Sequence, residues 1–480
     1  MRQTVGHPHP SAPPLMRGRS LPLPRGRGKG PASRRRVGRV RITALIRIYL
    51  TLTLAILLAA CGGAKDDRTE LVIQRFFGAC EAEYGASTNI AAAEGECGIM
   101  TAIINKFEAE NPDIHVVENV VFWPGYDQLT AQLAANDAPD LVTMHGSVIA
   151  DYQARGLLDP LGGDLASIGI APDQFTDAAR RAVTIDGKVW GLPLDSWTML
   201  WHVNMNLFRE AGLVKDGKPV LPHSPQELLA QAEQFKRRTG KPYFVQATAN
   251  EYASFTRNFY TFVMQQGVPL FTDARHANFQ TPAAHRALAL FKTIRERGLT
   301  TQNQDYSAAV SGFLNGDGGV FLVGTWMVQD FDAASHKPGS ALHNGYAVVP
   351  YPQLFARDVT FADGHNWVMP HNPGRPPAEH EAALRFLKFF AAYDKDWART
   401  GHMPAFATVI DSPEWRALPH RAALAEIART ATPLPKQIRR QFPIETVVGQ
   451  EAAAAIAGNK PIDRALADME RRVNEILQHI

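Results

Sequence analysis

Trp123 and His145 stand directly after two predicted strands, residues 114–122 and 141–144, and that placement is what could give them chemistry. Ligands of α/β sheets gather at the carboxyl ends of strands. An indole there offers a flat apolar platform, and an imidazole offers a hydrogen-bonding edge. The same rule points to Gly78 and to Gly146-Ser147. The blander alternatives are a rim tryptophan packed on the next helix and a turn histidine satisfied internally. The cysteines form a second group. Cys61 follows Leu57-Leu58-Ala59-Ala60, which closes an apolar run (48–60) behind an arginine cluster. Charged region, apolar core, then small residues is the order of a secretory signal. The other reading is a membrane span, but a span needs about 20 apolar residues and this run is shorter. Cys80 and Cys97 are left over as an even pair. In an oxidising compartment such a pair suggests a disulfide, worth about 3 kcal/mol on the chain-entropy model. Two free thiols are the alternative. No CxxC or HxxxH lies near them to suggest a metal.

Catalytic signatures are absent. There is no GxSxG, no HExxH and no Ser/Lys pattern. Gly212 to Lys218 mimics a phosphate loop, but Pro219 replaces the Ser/Thr and a helix precedes it. A pair of acids for glycoside hydrolysis is set by the fold rather than by spacing, and nothing singles one out. The expectation is a protein that is not an enzyme, with no cofactor and no resident metal.

Charge divides the chain. Residues 1–60 hold 12 Lys+Arg and no Asp or Glu, which leaves 38 basic against 47 acidic residues beyond them, a formal charge of −9. The basic total is therefore no evidence for nucleic acid. Residues 1–41 are rich in Pro, Gly and Arg without hydrophobic period and read as a disordered extension. Because signal charged regions are short, translation is expected to begin later, at Met16 or near Val37 or Val40. Residues 42–60 read as a signal peptide and 61–68 as a tether. The remaining length exceeds what one core usually serves, so two domains are expected.

Alternating apolar runs and helical periods follow. Strands are predicted at 71–77 and 114–122, with a helix between them that carries Ile99, Ile103 and Phe107 at i, i+4, i+8. That alternation predicts a parallel α/β sheet. Further on, strands are predicted at 198–203, 320–323, 346–349 and 367–369. Helices are predicted at 225–238, 251–266, 282–297, 306–315, 378–393 and 462–477. Tyr252, Phe255 and Phe259 share one helix face, so core packing is expected there. Trp190, Trp397 and Trp415 read as structural.

Several segments carry a resemblance: 107–114 (FEAENPDI), 138–142 (APDLV), 186–193 (DGKVWGLP), 204–213 (NMNLFREAGL), Gly324-Thr325-Trp326 and 400–404 (TGHMP). Their order and spacing resemble the family 1 extracellular solute-binding proteins of ABC importers, the maltose-binding-protein group. The segment ending in Cys61 similarly resembles the lipobox of bacterial lipoproteins, which implies an acylated cysteine and extracytoplasmic anchoring to a membrane. The resemblance implies a two-lobed, periplasmic-binding-protein-like (type II) α/β fold with a ligand cleft between discontinuous lobes. It implies crossings near Ser196, Gly364 and Pro404, hence lobes of 69–195 plus 364–404 and of 196–363 plus 405–480. It also implies a monomer that closes on a sugar or oligosaccharide and passes it to ABC permease subunits. A polyol or glycerophosphodiester ligand, or a signalling receptor, is the alternative; an extracellular glycoside hydrolase is the rival class. Sugars need aromatic platforms and Asp, Asn, Arg or His for their hydroxyls. The candidates are Trp123, His145, Asp195, Trp197, Trp326, Asn366, Trp367 and Phe406, with Asp195 as hydroxyl acceptor and Trp326 facing the cleft. The Cys80–Cys97 segment is a longer first loop than the simplest members carry.

Overall fold

The computed structural model describes residues 66–250, 252–424 and 427–479. The expectations for the basic extension, the signal and the lipidated Cys61 lie outside the described residues.

Strand Thr69–Arg75 places Leu71 and Ile73 in a dry core and pairs in parallel with Ile114–Val120 and Leu141–His145. The connecting helix, Gly95–Glu110, buries Ile99, Ile103 and Phe107 against that sheet's core, as the spacing predicts. The sheet is not purely parallel, however. His365–Val368 runs antiparallel to Leu141–His145, and Leu192–Pro193 pairs antiparallel to it on the far side. His365–Val368 arrives from the other half of the molecule instead of through a strand–helix crossover, so its direction is not bound by that handed connection.

A second sheet is built around the long strand Asp195–Asn204. Val320–Gly324, Tyr346–Pro350, Thr360–Asp363 and Met403–Pro404 all pair with it antiparallel. Every residue from Trp197 to Val203 is buried, with only Thr198 and His202 polar among them, as suits a strand covered on both faces. Helices Ala253–Met264 and Pro282–Glu296 supply Phe255, Phe259, Leu288 and Phe291 to the second core. The packing expected of Phe255 and Phe259 is therefore present. Trp190, Trp397 and Trp415 are buried as well. Helix Gln441–Ile456 escapes sequence reading. It buries residues around most of its circumference, Gln441, Glu445 and Glu451 included, so it has no apolar stripe to betray it.

The chain passes between the sheets at three places: Leu194, Gly364, and the step from Met403–Pro404 to Ala405. Polar groups fix each passage. Asp363 accepts the backbone N–H of Ser147 and of Gly364, and also the Ser147 hydroxyl. Asp394 accepts the N–H groups of Ala405 and Phe406. Burial pushes the Asp394 carboxyl up to about 7. At Gly364 a Cβ would stand 2.4 Å from the backbone oxygen of Asp195. Gly364→Ala should therefore force the first two crossings apart and cost about 1–3 kcal/mol. Urea unfolding measures this, and an unchanged midpoint would contradict the close approach. After the first strand, the disulfide Cys80–Cys97, with Cα atoms 5.8 Å apart, fastens the short helix Glu81–Tyr84 to the start of Gly95–Glu110.

Candidate ligand-binding cleft

Between the two sheets lies a cleft of about 1760 Å³. The carboxyl ends of the first sheet's parallel strands build one wall: Phe76 and Phe77 after Thr69–Arg75, Trp123 and Tyr126 after Ile114–Val120, and His145 at the end of Leu141–His145. The opposite wall carries Trp197, Arg257, Tyr306, Trp326 and Phe442. Phe442, from helix Gln441–Ile456, reaches across to Trp123, Tyr126 and His145 with ring centroids 5.1, 5.1 and 4.8 Å away. The Trp326 indole N–H donates to the Tyr306 hydroxyl at 2.7 Å, and its ring meets Trp197 edge-on at 5.4 Å. That bond leaves the indole face, rather than its N–H, as the surface Trp326 can offer a ligand.

His145 is enclosed by Phe76, His365 and Phe442. Its Nδ1 lies 2.6 Å from the Tyr126 hydroxyl, and its backbone N–H donates to the same oxygen at 2.9 Å. Burial, then the neighbouring His365, Arg257 and His402, hold the imidazole well below its usual titration range. It is a neutral group in this wall. The guanidinium of Arg257 lies 4.5 Å over Trp197 and 5.6 Å from the Trp123 ring. It forms two 3.3 Å bonds to the Glu445 carboxylate, and both residues are buried. The cation is thereby matched inside the protein, and the deep part of the wall presents ring faces rather than net charge.

Of the residues singled out from sequence, Trp123, His145, Trp197 and Trp326 line this cleft. The other four do not. Asp195 is fully buried and its oxygens are committed: they accept the His365 backbone N–H, His365 Nδ1 and Trp397 Nε1 at 2.9, 2.9 and 2.8 Å. It is a structural acceptor at the first crossing, not a hydroxyl acceptor in the wall. Asn366 is buried and donates to the Met144 carbonyl. Trp367 is buried against Phe386 and Phe390. Their strand runs antiparallel, so its first residue, His365, stands beside His145 at the cleft end. Trp367, opposite Thr143, lies deeper in the sheet. Phe406 packs on Phe175 away from the cleft. Sequence reading missed Arg257, Tyr126, Phe442 and His365. The one usable signal was an arginine inside the aromatic helix Ala253–Met264, since a buried charge needs a partner.

Two α/β halves, three crossings and an aromatic cleft between them define a two-lobed binding protein of the type II periplasmic-binding fold. The chain belongs to the bacterial extracellular solute-binding proteins: the model of that family matches residues 102–423. This is a family of binding receptors, not of enzymes. Maltodextrin-binding protein MdxE of Bacillus subtilis (strain 168) is 24% identical over 399 residues, 80% of this chain and 85% of that protein. A Brucella abortus (strain 2308) protein named as a binding protein is 27% identical over 220 residues; the match spans 46% of this chain and half of that relative's length. The fold is that of maltose-bound MalE3 of T. maritima, with a TM-score of 0.71, 17% identity, and coverage of 85% of this chain and 100% of that one. A Listeria monocytogenes ABC substrate-binding protein in complex with cycloalternan gives 0.69, 19% identity, and coverage of 86% and 100%.

Proposed function

We propose that the protein captures a neutral sugar or oligosaccharide in this cleft and delivers it to an ABC permease. The observation that carries this reading is the pair of facing aromatic walls, Trp123 and Tyr126 against Trp197, Trp326 and Phe442. Pyranose rings present C–H faces to such platforms, and their hydroxyls find polar edges beside them. The neutral His145 and the internally matched Arg257 favour an uncharged solute over a phosphorylated one. The ligands in the names of the relatives support the sugar class: maltodextrin, maltose and cycloalternan. Lobes of 69–195 plus 364–404 and of 196–363 plus 405–480 hinge at the three crossings. The ligand favours the closed form because it touches both walls only there. Cys61, acylated, keeps the receptor beside its permease.

A thermal-shift screen over maltodextrins, other oligosaccharides, polyols and glycerophosphodiesters tests the reading. A true ligand at 100 times its Kd adds about 2.7 kcal/mol to stability. Trp123→Ala and Trp326→Ala should each weaken binding about tenfold while the unliganded protein still melts cooperatively. A shift with glycerophosphodiesters alone, or none with any sugar, would sink the sugar reading.

A further inference from the structure

Below the aromatic walls, three side chains from distant parts of the chain converge. Glu96 begins the helix held by the disulfide, His365 follows the second crossing and His402 precedes the third. Each offers one donor atom, and these atoms lie within 4.8 Å of one another. Glu96 Oε1 is 2.7 Å from His402 Nε2. Each histidine has one ring nitrogen bonded to a neighbour outside the trio. His365 Nδ1 is 2.9 Å from Asp195 Oδ2, and His402 Nδ1 is 3.0 Å from Thr325 Oγ1. Asp195 is itself held by Trp397. Metal-ligating histidines carry this kind of outer bond, which fixes the ring and its tautomer so that the remaining nitrogen can coordinate. Aromatic rings enclose the corner: Phe77 lies 5.1 Å from His365, and Trp397 stacks on His402 at 5.8 Å.

We propose that Glu96, His365 and His402 form a binding site for one divalent transition-metal ion, Zn2+ in the first instance, with a fourth position open to the cleft. Two imidazoles and one carboxylate are a mixed nitrogen and oxygen set that suits Zn2+. Mg2+ and Ca2+ take oxygen shells instead. With bonds of about 2.0–2.1 Å, tetrahedral donors sit about 3.4 Å apart, so side-chain shifts of about 1 Å close the shell. Glu96 and the nearby Asp195 supply carboxylate charge for the dication. Glu96 and His365 both border the cleft, so the open position faces the cargo space. An ion there ties helix Gly95–Glu110 to the second and third crossings. The sequence holds no local metal motif because the three donors meet only through the fold.

The test uses the full chain without an affinity tag, stripped with EDTA and then freed of it. Titration calorimetry with ZnCl2 should show saturable one-to-one binding, with a matching rise in Tm, and MgCl2 should show neither. Glu96→Gln and His365→Gln should each weaken Zn2+ binding tenfold or more. Thr325→Val leaves all three donors in place and should cost about 10- to 100-fold by releasing the His402 ring. Melting in EDTA establishes that each variant folds, and the folded ones decide. No saturable Zn2+ binding, equal affinity for Mg2+, or binding untouched by the folded variants would overturn the site. The sugar screen repeated in EDTA keeps this outcome separate from the sugar reading.

Discussion

Asp195→Ala should destabilise the protein by about 3–5 kcal/mol, although Asp195 is buried behind the cleft wall and does not line it. Its carboxylate accepts from the His365 backbone, the His365 ring and the Trp397 indole, all in dry surroundings. Alanine leaves three buried donors without an acceptor, and each such loss costs about 1–3 kcal/mol. Urea unfolding measures the difference, and a loss below about 1 kcal/mol would show that water replaces the carboxylate. The same group sets an acid limit. Burial alone would raise its pKa, but His365 and His402, with the His365 and Trp397 bonds, bring it down to about 2. The unfolded value is about 3.9, so the native state favours the ionised form by about 2–3 kcal/mol. That stabilisation is complete above the unfolded pKa and is lost as pH falls from about 4 through about 2. Asp195→Asn should flatten this limb of the stability profile, and an unchanged slope between pH 4 and 2 would contradict it.

Arg257→Ala is expected to cost about 3–5 kcal/mol for a different reason. It strands Glu445, which is buried and whose carboxyl burial already pushes upward despite Arg257. It also removes the cation stacked on Trp197. Removing both charges in Arg257→Met with Glu445→Gln should recover most of the loss, because the unpaired charge rather than the missing bond dominates. A double-mutant cycle by denaturant unfolding reads the coupling directly. Additive effects would show that the pair is solvated and would undercut the neutral cleft wall.

These two effects mark where sequence reading stopped. Helical periods and strand runs were legible wherever an element has one apolar face, as in Pro225–Thr239 and Pro282–Glu296. The strand-end rule found Trp123 and His145 because parallel strands carry their ligands at their carboxyl ends. Asn366 and Trp367 came instead from the crossing that the resemblance implies, and there the strand enters antiparallel, which brings His365 to the cleft and sends Trp367 into the core. Asp195 was read as a contact residue because its position at a crossing is visible in sequence, whereas its three donors come from residues 170 and 202 positions away. Gln441–Ile456, buried on most sides, left no period to read, and Phe442 and Glu445 went unseen with it.

The sequence by itself determined the class of protein. Local alternation and helix spacing give the α/β class, because such patterns record which face of each element is apolar, and the order of short segments carries the resemblance to extracellular solute-binding proteins. Only the tertiary structure decided which polar and aromatic groups share the cleft. Side-chain neighbours there come from strands and helices hundreds of residues apart, and their meeting depends on strand direction and on three crossings. Neither leaves a periodic trace in the chain.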